Sequence, residues 1–322
     1  MLAVTCVSQS ASDPLSGLEV GERPEPQVPD GWTTVRLRTA ALNHHDIFSL
    51  RGIGLPADRL PIVLGCDGAG IDADGNEVLV HAVLASPGWT GDETLDPRRS
   101  LLSEVHDGTL AGVVAVPRHN LVRKPESLSW EHAACLPTAW LTAYRMLFTN
   151  SGVQPGGTVL VQGAAGGVAT ALVQLGTAAG IRMWVTSRDA AKGEQAVALG
   201  ADRAFDSGAR LPERVDAVME TVGAATWSHS VNSLRPGGTI VISGATSGDA
   251  PAKAELTKIF FKQLRVVGST MGSHDELERL ARFVVDAGIE PQVDSVRPLA
   301  QAREGFERML QGALSGKVVF TL

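Results

Sequence analysis

From residue 32, Trp-Thr-Thr-Val-Arg-Leu-Arg alternates apolar and polar positions at period two, the pattern of a strand with one buried face. The apolar run over residues 2–7, the stretch Glu77-Val-Leu-Val-His-Ala-Val-Leu after the turn signal Asp74-Gly75-Asn76, and Leu110-Ala-Gly-Val-Val-Ala-Val-Pro predict three more strands. Pro24, Pro26 and Pro29 punctuate the loop before Trp32, and the first 125 residues read as an irregular β domain. The period changes after Pro125. Residues 129–148 carry helix formers, with Pro137 expected to break or kink the helix. From Gly157, short β-branched runs at 158–162, 182–186, 216–220, 239–243 and 265–269 alternate with helical stretches at 168–179 and 192–199. Ala204-Phe-Asp adds a sixth strand candidate. Strand–helix alternation predicts an α/β fold with a parallel, doubly wound sheet. Pro155-Gly-Gly-Thr-Val-Leu-Val-Gln-Gly-Ala and Pro236-Gly-Gly-Thr-Ile-Val-Ile-Ser-Gly-Ala mirror each other, as the two halves of such a sheet do. Near the end, Ser273-His-Asp-Glu276 is a capping box that opens a helix with Leu277, Leu280, Ala281, Val284 and Val285 on one face. Ala302, Phe306 and Met309 mark a second amphipathic helix stopped by Gly312, and Lys317-Val-Val-Phe-Thr-Leu is a strand that needs a partner in the β-rich domain.

Composition narrows the function classes. A length of 322 residues suits two domains, and 44% hydrophobic with 20% charged residues excludes a disordered chain. Acidic residues outnumber basic ones 35 to 28, which argues against a nucleic-acid partner. No run of 18 apolar residues offers a membrane span, and the apolar start lacks the basic flank of a leader. Cys6, Cys66 and Cys135 lie far apart, too few for a disulfide framework, so a reducing, cytoplasmic setting is expected.

The strongest chemical motif is Val159-Leu-Val-Gln-Gly163-Ala-Ala165-Gly166-Gly167-Val168-Ala169. A buried strand runs into a glycine turn and then a helix, the arrangement that lets bare backbone and a helix N-terminus meet a diphosphate. Ala169 stands where a third glycine would pack helix on strand. The second strand ends Thr186-Ser187-Arg188-Asp189, with Lys192 following. Ser187 occupies the place of the carboxylate that selects NAD, and Arg188 and Lys192 suit a 2′-phosphate, so NADP(H) is the expected cofactor. Asp189 is the rival, since a shift of two residues restores an NAD-like acid.

Leu42-Asn-His-His-Asp-Ile-Phe-Ser-Leu-Arg-Gly52, Pro61-Ile-Val-Leu-Gly-Cys-Asp-Gly-Ala-Gly70, the Ala139–Phe148 stretch, the glycine turn and the Leu-Gly-Ala-Asp ending at Asp202 together resemble the medium-chain dehydrogenase/reductase superfamily over nearly the whole chain. The resemblance implies a GroES-like catalytic domain from residues 1–124 and 272–322, and a Rossmann domain from 125–271. It assigns Asn43 and Thr142 to the nicotinamide, and Thr221, Gly244, Ala245 and Ser269 to the rest of the cofactor. Asn43 is expected to donate to a substrate carbonyl or to cap a turn, and Asp67 to take part in catalysis or orient its neighbours. Many members hold catalytic zinc; the matching positions here are Asn43, Cys66 and Thr138, only one of them a soft ligand. The segment expected to form a structural zinc lobe, between Gly88 and Gly112, has no cysteine. No metal site is therefore expected; a substitute cluster of His44, His45, Cys66 and His81 is outweighed by reading His44 and His45 as ordinary loop histidines. Related quinone and enoyl reductases often carry a tyrosine five residues after Asn43, where this chain has Phe48. The likeness points to the zinc-independent quinone oxidoreductase (zeta-crystallin-like) branch, with hydride passing from NADPH to a quinone or enone. The rivals are a zinc alcohol dehydrogenase and a non-enzymatic NADP(H)-binding sensor or structural protein. A homodimer paired through the edge strand 265–270, and weakened by a proline at Val267, completes the expectations.

Overall fold

The period-two stretch from residue 32 is a ten-residue strand, Trp32–Ala41, and the β-rich unit is built around it in the computed structural model, which describes residues 1–322. Residues 32–36 pair antiparallel with Val113–Pro117, and residues 35–41 with Asp67–Asp72. Lys317–Thr321 pairs antiparallel with residues 39–41 of the same strand, and parallel with Val293–Pro298 on its other side. The strand expected from Glu77 to Leu84 is interrupted. It ends at Val80, where His81 turns to Asn120, whose side-chain amide donates to the carbonyls of His81 (2.9 Å) and Val83 (2.7 Å). Val83–Leu84 then pairs with Ser100–Leu101. Leu42, Ile47, Leu50, Leu64, Phe306 and Phe320 fill the core beneath, which puts the amphipathic face of Ala302–Leu310 where its spacing predicts.

The second unit is a six-stranded parallel sheet: β1 (Thr158–Gln162), β2 (Arg182–Ser187), β3 (Arg203–Asp206), β4 (Val215–Glu220), β5 (Leu234–Ile242) and β6 (Arg265–Gly268). Its spatial order is β3-β2-β1-β4-β5-β6, two halves diverging from β1 and β4. Helices α1 (Gly167–Ala178), α2 (Ala190–Ala198), α3 (Trp227–Ser233) and α4 (Leu256–Phe261) connect the strands. Leu160, Trp184, Val218, Val231 and Ile240 form part of its core.

Chain contacts divide the protein into Met1–Leu141 with Gly272–Leu322, and Thr142–Met271. Residues 125–141 thus pack with the β-rich unit, whereas the sequence pattern predicts a boundary at 124/125. The helical segment between 130 and 150 is not regular. An α turn, Trp130–Ala133, is capped by Ser129 and leads into a wide π turn, Leu136–Trp140, with Pro137 in its opening. Proline lacks the N–H that would close a normal turn. A second π turn spans Arg145–Asn150. The capping box at Ser273 forms as predicted: Glu276 Oε2 accepts the Ser273 N–H at 2.8 Å, and Ser273 Oγ accepts the Glu276 N–H at 3.2 Å. No helix is long and apolar enough to cross a membrane.

Candidate functional site

Beyond β1 the chain turns at Gly163, whose φ of +92° only glycine adopts without strain. Gly166 differs. Its backbone is ordinary (φ −69°, ψ 158°), and a Cβ added there meets nothing within 4 Å. Neither backbone nor packing demands glycine at 166, so the bare backbone leaves open space directly at the N-terminus of α1. Ala164, Ala165 and Ala169 are buried around it. With Gly167 and Val168 opening a twelve-residue helix, this is a cradle that fits a diphosphate.

At the end of β2, Ser187 Oγ accepts the Asp189 N–H at 3.1 Å and donates to the Asp189 carbonyl at 2.7 Å. Asp189 caps α2, accepting the Ala191 N–H at 2.9 Å. The carboxylate that rivalled Ser187 as a ribose ligand is thus engaged by the helix behind it. Arg188 is exposed, and Lys192 lies in the first turn of α2.

Thr221, Gly244, Ala245 and Ser269 follow the carboxyl ends of β4, β5 and β6, the same edge as the glycine turn. Thr221 O accepts the Thr246 N–H at 3.3 Å, and the Ser269 N–H donates to Ile242 O at 2.8 Å. Ser243 Oγ and Ser269 Oγ are buried without a hydrogen-bond partner. Two orphaned hydroxyls on neighbouring strand ends fit a polar ligand lying along this edge. Ser243 was not singled out by its sequence, where it is one of many strand-end serines. Thr142 is buried on the helical turn Leu141–Tyr144.

In the β-rich unit, Asn43 and Asp67 come together as a pair, with a third member from far along the chain. Asn43 Nδ2 donates to Asp67 Oδ2 at 2.8 Å and to Ala41 O at 3.4 Å. Lys317 Nζ donates to Asn43 Oδ1 (2.6 Å), Asp67 Oδ2 (2.7 Å) and Leu42 O (2.7 Å). Asp67 is fully buried and Lys317 nearly so. Asp46 braces the cluster by accepting the N–H groups of Asn43 (2.9 Å) and Gly65 (3.0 Å), and its burial raises its pKa above the carboxylate norm. Both amide hydrogens of Asn43 are spent within the protein. Of the roles expected, this arrangement suits Asn43 as the residue that heads the turn into His44–Leu50 and Asp67 as one that orients its neighbours; the pair, with Lys317, shapes this corner of the unit.

Beside it, His45 Nε2 lies 2.8 Å from Glu104 Oε1, and His45 Nδ1 lies 3.5 Å from Cys66 Sγ. Burial pushes the Cys66 thiol up while His45 beside it works the other way, and its Sγ donates to Leu102 O at 3.3 Å. Burial also opposes charge on His45, but its sulfur and carboxylate partners outweigh burial and hold the imidazole well above its usual range. Thr138 Oγ1 donates to Cys66 O at 3.3 Å. The positions matching a catalytic zinc set thus hold an amide and a hydroxyl bound to other groups, and one thiol. No group of three or more histidine, cysteine or carboxylate side chains is arranged to hold a metal ion. In the segment between 88 and 112, carboxylates organise the loop: Asp96 accepts the N–H groups of Ser86 (2.6 Å) and Arg98 (2.8 Å), and Glu93 that of His274 (2.7 Å). These residues do not fit zinc at either place.

Comparison with known proteins agrees with this architecture. Residues 167–286 match the family model described as zinc-binding dehydrogenase. A zinc-type alcohol dehydrogenase-like protein of Schizosaccharomyces pombe is 31% identical over 96% of this chain and 97% of its own length. An acryloyl-coenzyme A reductase of Metallosphaera sedula is 28% identical over 95% of this chain and 96% of its own. The crystal structure of an NAD-dependent alcohol dehydrogenase superposes with a TM-score of 0.90 at 34% identity, with both chains fully covered. The chain belongs to the medium-chain dehydrogenase/reductase superfamily of NAD(P)-dependent oxidoreductases.

Proposed function

We propose that this protein is a zinc-independent, NADPH-dependent reductase of quinones or α,β-unsaturated carbonyl compounds, enoyl thioesters among them. The observation that carries the reading is the donor set at Asn43, Cys66 and Thr138, which offers one thiol and two groups already hydrogen-bonded elsewhere. Oxidising an alcohol needs a group that stabilises the alkoxide; zinc does so as a Lewis acid, and needs three protein ligands to hold it. A quinone or conjugated carbonyl spreads incoming charge onto its own oxygen and lacks that requirement. The acryloyl-coenzyme A reductase among the relatives acts, by its name, on such an activated alkene.

NADPH, when bound, supplies the hydride; the chain's own part is to bind and orient it. Gly166 and Gly167 would open the α1 N-terminus to the diphosphate, Arg188 and Lys192 would receive the 2′-phosphate, with Ser187 joining them only by turning its hydroxyl away from the Asp189 carbonyl, and Ser243 and Ser269 would offer hydroxyls along the strand ends. One oxygen of Asp189 is held by its helix, and the cations Arg188 and Lys192 flank it, which supports NADPH over NADH. Asn43 and Asp67 act through position, held by Lys317. We also propose a homodimer paired through β6.

A second reading, a zinc-dependent alcohol dehydrogenase using NAD, is favoured by the names of two of these similar proteins, a zinc-type alcohol dehydrogenase-like protein and an NAD-dependent alcohol dehydrogenase. One experiment separates the readings. NADPH and NADH absorbance is followed with a panel of quinones, enones, enoyl-coenzyme A esters and alcohols, with and without chelator, alongside elemental analysis. The expected result is NADPH oxidation that survives chelation in a protein without stoichiometric zinc. Arg188→Ala should weaken NADPH binding about tenfold or more and leave NADH nearly unchanged, as loss of a charge-assisted contact implies. One zinc per chain, removed together with alcohol oxidation by chelator, overturns the proposal.

A further inference from the structure

Gln162 and Glu220 end β1 and β4, the two neighbouring strands from which the sheet diverges, and both are almost wholly buried. A buried amide and a buried carboxylate are costly unless every polar atom finds a partner. The partners here form one continuous chain. Gly163 N–H donates to Thr186 Oγ1 (3.3 Å), and Thr186 Oγ1 donates to Gln162 Oε1 (2.7 Å). Gln162 Nε2 donates to Ser230 Oγ (3.0 Å) and to His229 Nδ1 (2.9 Å). Ser230 Oγ donates to Glu220 Oε2 (2.6 Å), Thr226 Oγ1 donates to the same carboxylate (2.9 Å), and Glu220 Oε1 accepts the N–H groups of Val222 (2.8 Å) and Gly223 (2.9 Å).

The direction of every bond is forced. A carboxylate only accepts, so Ser230 must spend its hydrogen on Glu220 and accept from the amide of Gln162. The amide nitrogen then faces α3, its oxygen faces Thr186, and the lone pair of Thr186 is left for Gly163 N–H. His229 Nδ1 accepts, so its Nε2 carries the hydrogen and donates to Ala209 O at 2.9 Å.

The ends of this chain are the parts of the sheet edge that would touch a dinucleotide. Gly163 starts the glycine turn, and Thr186 precedes Ser187 and Arg188. The N–H groups held by Glu220 belong to a loop laced to the one after β5. Ala224 N–H donates to Gly248 O (2.9 Å) and Ser247 N–H to Val222 O (2.7 Å). At Gly223 (φ +91°) an added Cβ would lie 2.5 Å from Gly248 O, so the two loops are in direct contact.

We infer that Gln162 and Glu220 are positioning residues for the dinucleotide, joining the glycine turn, the end of β2 and the loop after β4 into one pre-set surface. This rests on the dinucleotide-binding part of the function proposed above. None of Gln162, Glu220 or Ser230 needs to touch the cofactor for this role; filling the same space with apolar side chains would keep the core and lose the setting of the edge.

The test is a double-mutant cycle read by cofactor affinity. Thr186 and Glu220 share no hydrogen bond and are joined only through Gln162 and Ser230. NADPH and NADH dissociation constants are measured by fluorescence titration for the wild type, Thr186→Val, Glu220→Gln and the double variant, with circular dichroism to show that each is folded. Each single change should weaken binding roughly tenfold, and the double variant should fall short of the product of the two losses by at least about threefold. Thr186→Ser, which keeps the hydroxyl, should restore wild-type affinity. If Glu220→Gln does not fold, Ser230→Ala takes its place in the cycle. Losses that simply multiply, or single variants that bind as the wild type does, overturn the inference and leave the function proposal standing. A wild-type protein that binds neither dinucleotide overturns both.

Discussion

At the scale of single residues, Gly166 offers the cleanest separation of fold from ligand. Its backbone angles suit any residue and its Cβ position is empty, so Gly166→Val should cost no more than about 1 kcal/mol of stability, the preference for glycine over valine at a helix N-cap. Dinucleotide affinity should fall at least about tenfold, because the branched side chain stands where the diphosphate must approach. Titration calorimetry beside thermal melts reads both; unchanged affinity places the cofactor elsewhere. His45 and Glu104 make a second, pH-dependent case. The folded imidazole titrates above its unfolded value of about 6.5, so its partnership stabilises the fold fully below that pH and is lost as pH rises through the higher folded value. Glu104→Gln should therefore lower stability by about 1 kcal/mol near pH 6, with a gap that shrinks on the alkaline side. Melts at pH 6 and pH 9 check this, and a gap that widens with pH would count against it. Neither partner advertises the other in the sequence, since 59 residues separate them.

At the scale of elements, the edge strand β6 shows how register alters a test. Ser269 N–H points inward to Ile242 O. In a parallel strand alternate residues point the same way, so Val267 also faces β5 and only Val266 and Gly268 present N–H groups to the open edge. A proline at Val267 would break the sheet itself, which corrects the choice suggested by the sequence. Val266→Pro removes an outward donor and should shift a β6-paired dimer toward monomer about tenfold or more, with the Rossmann unit still folded. Sedimentation equilibrium with circular dichroism is the measurement; a dimer indifferent to this proline would place the interface elsewhere. Much of the element map was legible because its signals are local: period two at Trp32, the reciprocal cap of Ser273 and Glu276, the glycine turn between strand and helix. What stayed hidden depends on distant partners. Val293–Pro298 is a strand because Lys317–Thr321 lies beside it, although its own residues are half-exposed and weakly alternating. The π turns at Leu136 and Arg145 have no propensity signature, and only Pro137 hints at the first.

At the scale of the whole molecule, Lys317 ties the last strand to the first third of the chain. Its ammonium group is the sole ion-pair partner of Asp67 in the structure, with both buried. Removing one member of a buried pair leaves an uncompensated charge, so Lys317→Met should cost about 3–5 kcal/mol. Adding Asp67→Asn should recover part of that loss, and chemical denaturation of the single and double variants measures it; equal stability of wild type and Lys317→Met would remove the pair from the account. The separation of 250 residues between Asp67 and Lys317 also sets an order on biosynthesis. A ribosome releases Asn43 and Asp67 early, then the contiguous 142–271 segment, which holds all six of its strands and can close its sheet during translation. The β-rich half has no such freedom. Its central strand lacks a partner at residues 39–41, and Asp67 lacks the counter-ion it needs in order to be buried, until Lys317–Thr321 emerges. Newly made chains should thus pass through a stage with residues 142–271 folded and the β-rich half still open, and a chain cut short before Lys317 should stop there, its β-rich half digested by protease while residues 142–271 resist.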